Sequence, residues 1–184
     1  MNALLNLPVE DVARRLIGAV LMFQGVGGVV VETEAYDSQD PASHSFSGPT
    51  PRNAQMFGPP GRAYIYRAYG LHWCLNLVCG PCPGGAVLFR ALQPTKGLDG
   101  MIERRGLVDV RRLAAGPGRL CQALGVTAAQ NGLDMTMAPF DLQWPSSQPE
   151  ILVGPRNGIT KAVDRPWRFG IAGSGFLSRS FRSA

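Results

Sequence analysis

The chain has 184 residues with 18 Lys+Arg against 13 Asp+Glu, a formal net charge of +5 and a sequence pI near 9.4. That length suits one compact domain, residues 1–184, with a real core. At 45% hydrophobic residues and a mean hydropathy of +0.01 it is too apolar for intrinsic disorder, and no segment approaches the roughly 20 apolar residues of a bilayer span.

From Pro8 the apolar residues Val9, Val12, Ala13, Leu16 and Ile17 follow a helical period, with Pro in the first turn and Gly18 after the last. A capped amphipathic helix is expected there. Residues 19–23 and 29–36 are β-rich runs around Gln24-Gly25-Val26-Gly27-Gly28, which reads as a β-hairpin; the glycines fail G-x-G-x-x-G and precede a strand. Residues 37–62 are dense in Pro, Gly, Ser and Asn, a long connection of the kind that carries function, with Thr50 to Asn53 placed to cap one short helix. Residues 63–66 and 72–78 read as strands joined through Arg67-Ala68-Tyr69-Gly70, which puts Tyr69 at a hairpin tip. Ala86 to Leu92 continues the sheet, with Arg90 as a charge that needs a partner. Residues 98–113 form an Arg-rich helical stretch, a helix opens at Gly116-Pro117-Gly118-Arg119 and runs to Leu124, and residues 140–144, 151–153 and 168–171 are short strands.

Sixteen of the 18 cationic residues are Arg, only Lys96 and Lys161 being Lys, which favours planar, bidentate recognition of phosphate or carboxylate. On charge alone, a nucleic-acid partner and a merely basic soluble protein are equally compatible. Cys79-Gly80-Pro81-Cys82 has C-x-x-C spacing, but no second pair completes a zinc site, and His44 and His72 are too few for a histidine-based one. No metal and no cofactor is expected. The first eight residues lack the charged start and unbroken apolar run of a signal peptide, so a cytoplasmic protein is expected.

Strand side chains alternate faces, so Glu32, Glu34 and Tyr36 share one face and Val31, Thr33 and Ala35 the other. Carboxylates on an otherwise buried strand must be paired, hydrogen-bonded or at the mouth of a site. For Glu32 a structural ion pair with an Arg is the preferred reading; for Glu34, beside Tyr36 and the long polar loop, catalysis and ion pairing stand level. Among the tyrosines, Tyr64 reads as core, whereas a large aromatic at position 69 is an exposed contact residue, a clamp over its own loop or a wedge between bases.

Taken together, Val31 to Tyr36, Ala42-Ser43-His44-Ser45, Thr50-Pro51-Arg52-Asn53, Met56-Phe57, Tyr64-Ile65-Tyr66, Tyr69-Gly70, Cys74-Leu75-Asn76, Leu88 to Leu92 and Pro166-Trp167-Arg168-Phe169 resemble the alkyladenine (3-methyladenine) DNA glycosylase family, in that family's order and over essentially the whole chain. A start at the family domain without an extension resembles a bacterial member. The resemblance implies one α+β domain with a curved, mostly antiparallel sheet flanked by helices and a protruding β-hairpin. It also implies a monomer that binds double-stranded DNA containing damaged purines.

Carried over by residue, the resemblance makes Glu34 the general base on the attacking water, Arg90 a residue that helps hold that water, and Ile171 the source of a backbone carbonyl that does the same. Tyr36, His44 and Tyr66 line and stack on a flipped base, Asn76 discriminates among purines, and Tyr69 enters the gap that the base leaves. Arg52, Arg67 and Arg119, with Arg104, Arg105, Arg111 and Arg112, are where phosphate-binding charge is sought. A monofunctional hydrolase follows, since neither Lys lies in the motifs to act as an amine nucleophile. A non-catalytic damage-recognition module is the alternative. Gln93 where Glu is common, Arg67-Ala68 in place of an apolar pair, and a short 37–44 loop depart from the family pattern and bear on substrate range.

Overall fold

The computed structural model describes residues 2–181; Met1 and residues 182–184 of the expected domain lie outside the described residues. A helical turn at Asn2–Leu5 (α1) precedes the amphipathic helix Val9–Arg15 (α2), which buries Val9, Val12 and Ala13. Strands β1 (Val20–Phe23) and β2 (Val26–Tyr36) follow, joined by a two-residue turn in which Gln24 and Gly25 both have positive φ. The turn is tighter than expected: Gly27 and Gly28 lie inside β2. There the backbones crowd together, and a Cβ would fall 2.0 Å from the Leu21 carbonyl oxygen at Gly27 and 2.0 Å from that of Gln93 at Gly28.

Strands β3 (Ala63–Ala68), β4 (His72–Val78) and β5 (Ala86–Lys96) start where the periodicity puts them, but β3 runs on through Arg67 and Ala68 and β5 beyond Leu92 to Lys96. The Arg-rich stretch departs from expectation by splitting into α3 (Leu98–Arg105) and α4 (Val110–Leu113). Gly106, at φ 63°, ends the first, and the Asp109 side chain caps the second by accepting from the Arg111 amide. Helix α5 (Pro117–Leu124) and strands β6 (Phe140–Gln143), β7 (Ile151–Gly154) and β8 (Arg168–Ile171) complete the chain.

All strand pairings are antiparallel, in the order β3-β4-β5-β2-β1-β6. The first part of β2 pairs with β1 and its later part with β8, which in turn pairs with β7. Register shifts flank Glu32, where β2 changes partner. Such bulges bend a strand and re-aim its side chains.

The sheet has one dry face and one functional face. Val30, Ala35, Ile65, Leu75, Leu77, Val87 and Phe89 point to the helices and share a single hydrophobic cluster with α2 and α5. On that side the Thr33 hydroxyl donates to the Ala13 carbonyl of α2 at 2.9 Å. The alternate residues of the same strands face the opposite way, into a cavity.

The 37–62 segment is tied down over that cavity. Buried Asp40 pairs with the buried Arg156 guanidinium, and the Asn53 side-chain amide donates to the carbonyls of His44 at 2.7 Å and Gly48 at 3.0 Å. Its short helix is a 3-10 turn at Ala54–Phe57, and Asn53 at its start makes no side-chain cap bond.

Candidate active site

The cavity of about 510 Å³ is floored by one row of the sheet. Strand register aligns Tyr64 with Asn76, Asn76 with Leu88, Leu88 with Glu34, and Glu34 with Arg168. Neighbouring strands are about 4.8 Å apart, so Asn76 and Glu34 stand about 10 Å from each other across Leu88, the width of a purine nucleoside. A second row holds Tyr66, opposite Cys74. Tyr36, His44, Arg52, Tyr69 and Arg90 complete the walls.

Glu34 is fully buried. Its Oε1 accepts the Asn157 backbone N–H at 2.7 Å, and its Oε2 accepts the Tyr36 hydroxyl at 2.9 Å and Arg90 Nη1 at 3.2 Å. A carboxylate has about four acceptor sites, so one remains on Oε1, and Glu34 lines the cavity. Burial raises the Glu34 pKa above its ordinary value; the Arg90 charge and the Asn157 and Tyr36 hydrogen bonds offset this only in part, and the Glu32 charge adds to the rise. Burial works against the Arg90 charge too, but Glu34 and Glu32 more than offset it and leave Arg90 firmly cationic.

Glu32, two residues away and also fully buried, does not line the cavity. It accepts Arg90 Nε at 2.9 Å, Arg168 Nε at 2.8 Å, the Ser178 hydroxyl at 2.8 Å and the Ser178 backbone N–H at 2.5 Å. This is the structural ion pair expected of it, with two arginines instead of one.

The aromatic walls are braced from behind. His44 Nδ1 and the Tyr64 hydroxyl are 2.9 Å apart, and the His44 ring meets Tyr66 edge-on at 4.4 Å between centroids. Withdrawal from water, reinforced by the Arg52 charge, lowers the His44 pKa and keeps the ring neutral near pH 7, while burial raises Tyr64 to about 12 and Tyr66 higher still. Arg156 lies over the Tyr36 ring at 4.6 Å. Asn76 Nδ2 donates to the Tyr64 carbonyl at 3.0 Å, which leaves its Oδ1 as the acceptor presented to a ligand.

Tyr69 occupies the tip of the β3–β4 hairpin, 88% exposed and at φ 51° in the left-handed region, followed by Gly70 at φ 68°. The Leu71 N–H donates to the Ala68 carbonyl at 2.9 Å and closes the turn. A bulky residue in that conformation, left in solvent, is strain without a packing return.

Ile171 does not belong to this group. It lies three residues beyond Arg168, the register partner of Glu34, or about 10 Å along β8. Its carbonyl accepts from the Ser174 amide at 3.3 Å. Backbone from the 157–159 loop takes the place expected of it, at Asn157, Gly158 and Ile159. Arg119 is also apart: exposed, it donates to the Ala115 carbonyl just ahead of its own helix at 3.2 Å. Arg104 and Arg105 brace the helices, through the Ala123 carbonyl at 2.8 Å and the Leu113 carbonyl at 2.9 Å. Arg67 lies over the Trp73 ring at 5.4 Å and shares a second, shallower concavity with Arg52 and Tyr69. Gln93 is exposed on β5 and does not line the cavity.

Residues that sequence reasoning did not place in the site are Cys74 and Leu88 on the floor, the Arg156–Asn157 loop, and the C-terminal residues Ser178 and Arg179. The first two alternate in step with Asn76 and Arg90 on the same strands, so strand periodicity could have found them. The others lie in irregular backbone with no period to read. Among the described residues, no group of three His, Cys, Asp or Glu side chains is suited to a metal ion, and no helix is long and apolar enough to cross a membrane.

Residues 3–175 match the family described as methylpurine-DNA glycosylase. A protein of Nitrosospira multiformis is 62% identical over 94% of this chain and 90% of its own length. Relatives from Rhodopseudomonas palustris and Granulibacter bethesdensis are each 59% identical, over 94% of this chain and 84% of theirs. All three are provisionally named 3-methyladenine DNA glycosylase. With nearly its full length matched, the chain belongs to the methylpurine-DNA glycosylase family, and its enzyme type is that of a DNA N-glycosylase.

Proposed function

We propose that this protein excises alkylated or deaminated purines of the 3-methyladenine, hypoxanthine and ethenoadenine class from double-stranded DNA, by base flipping and simple hydrolysis. The observation that carries this reading is the single unfilled acceptor site of Glu34 at the edge of an aromatic-walled cavity one purine nucleoside wide.

Rotating a nucleotide out of the stack costs a few kcal/mol, less for a damaged or mispaired base. Tyr69 fills the vacated space, and Arg52 and Arg67 beside it take backbone phosphates. Inside the cavity, Tyr36, His44 and Tyr66 hold the base by stacking. For cationic alkylpurines the tyrosine rings add cation–π attraction of about 0.5–2 kcal/mol per contact. Asn76 Oδ1 reads a donor on the purine edge.

Water held at Glu34 Oε1 attacks the sugar C1′ and gives its proton to the carboxylate. The N-glycosidic bond breaks with its electron pair going to the departing base, which leaves an abasic site. Arg90 keeps Glu34 ionised and aimed, and the carboxylate stabilises the developing oxocarbenium charge. The protein acts as a monomer in the bacterial cytoplasm, in base excision repair.

A single-turnover base-release assay on duplexes containing 3-methyladenine, hypoxanthine or ethenoadenine tests this. Wild type is expected to release at least one of the three, and Glu34→Gln none at a comparable rate. A wild-type protein that binds these duplexes without releasing any base would be a recognition module instead.

A further inference from the structure

The segment 174–181 crosses the back of the site as a strap, and most of it lies beyond the 3–175 span that matches the family. Phe181 and Leu177 seat it on β8. A Cβ on Gly170 would fall 2.6 Å from the Phe181 ring and 3.0 Å from the Leu177 side chain, so a side chain there would push both away. The Arg168 guanidinium lies over the Phe181 ring at 3.9 Å and donates to the Arg179 carbonyl at 2.5 Å.

Between these anchors, the Ser178 hydroxyl donates to Glu32 Oε1 at 2.8 Å and accepts from Arg90 Nη2 at 3.3 Å. Arg90 is thereby gripped at three nitrogens: Nε by Glu32, Nη2 by Ser178 and Nη1 by Glu34. A planar guanidinium held at two of them has its third direction set. The next residue, Arg179, is exposed and lines the cavity, and no carboxylate pairs with it among the described residues. Arg52, likewise unpaired, lines the same cavity from the 37–62 segment.

We propose that the strap is a working part of the site: Arg179 binds a backbone phosphate beside the flipped nucleotide, and Ser178 is a positioning residue that aims Arg90 at Glu34. Seating the DNA and aligning the carboxylate then depend on adjacent residues of one segment. The proposal rests on the glycosylase reading above.

Two variants of the full chain test it. Arg179→Ala is expected to weaken binding to a duplex carrying a tetrahydrofuran abasic analogue by about tenfold at low salt. The slope of log affinity against log salt is expected to become shallower by about 0.9, the signature of one lost phosphate contact. An unchanged slope overturns the Arg179 assignment. Ser178→Ala is expected to slow single-turnover base release by about 10- to 100-fold. It also moves the acid limb of the pH–rate profile upward, because the Arg90 charge, together with the Asn157 and Tyr36 hydrogen bonds, lowers the Glu34 pKa against burial and the Glu32 charge. Ser178→Thr, which keeps the hydroxyl, restores both. A Ser178→Ala protein with lowered thermal stability but wild-type rate and acid limb overturns the positioning role. Absence of base release by the wild type would refute the hydrolytic reading, and the positioning of Arg90 with it, while the salt slope would still decide Arg179.

Discussion

Glu32 and Glu34 are the same residue type on the same face of one strand, both fully buried and both held by Arg90. What separates them is the cavity, which Glu34 lines and Glu32 does not. Glu32 receives four donors, two of them from arginines and two from Ser178, and is enclosed by them. Glu34 receives three and faces the cavity with a site to spare. A buried carboxylate enclosed by protein donors is a structural tie, and one that lines a cavity with an acceptor site free is poised to take a proton from water. Accessible area alone would have ranked the two alike.

The largest expected effect is on the short-handed partner. Glu34→Gln is expected to lower single-turnover base release by about 10²- to 10⁴-fold, with stability at neutral pH kept or raised. The sign follows from the raised pKa: the folded state binds the Glu34 proton more tightly than the unfolded chain does, so this group's contribution to stability falls as pH rises from about its ordinary 4.5 through the folded value. Urea unfolding midpoints of both proteins across that range check it. The slope should be smaller in the variant, and a variant that unfolds more readily at pH 7 would break the contrast with Glu32.

Glu32→Gln should do the reverse. Removing the counter-charge strands Arg168 and leaves Arg90 with Glu34 alone, both arginines being buried, and breaking a buried pair from one side costs about 3–5 kcal/mol. Urea denaturation reads this directly. A loss below 1 kcal/mol would mean that the two carboxylates are interchangeable ties. Base release should also slow, because Arg90 loses its fixed end.

The division between these residues was partly legible before any coordinates. Period-two alternation from Val31 to Tyr36 put both carboxylates and Tyr36 on one face, and the isolated charge at Arg90 demanded a partner on a neighbouring strand. The hairpins, the tip position of Tyr69 and the late short strands likewise follow from apolar runs and glycines that make local structure. What local pattern cannot encode is closure from far along the chain. The donors that distinguish Glu32 from Glu34 come from Ser178 and Asn157, more than 100 residues away in loops. The misplacement of Ile171 has the same origin: with no period to align the 155–165 region, the final strand was the nearest recognisable feature, and the register of β8 places Arg168 opposite Glu34 instead.

A milder probe of the same contrast is pH. If Glu34 must be ionised to accept the proton, the rate of base release should fall tenfold per unit on the acid side, with its midpoint above the ordinary value of 4.5. A profile falling with slope two would show that both carboxylates titrate in catalysis.

The smallest expected effect lies at the hairpin tip, where stability and function should part. Tyr69 holds φ 51° while 88% exposed, so it carries the cost of a left-handed backbone and returns almost no burial. That conformation costs an ordinary residue about 1–2 kcal/mol, and Asn, whose short side chain hydrogen-bonds locally, escapes much of it. Tyr69→Asn is therefore expected to raise the unfolding free energy by up to about 1 kcal/mol. The same change removes the aromatic that fills the emptied stack, so a fluorescent reporter base opposite the tip should spend less time flipped, while hydrolysis of the bases that do flip proceeds at its former rate. A variant that loses stability and flipping together would identify Tyr69 as an ordinary structural residue of the turn. Opposite changes would mean that strain at the tip is retained because duplex DNA, and not the folded protein, supplies the surface against which this ring packs.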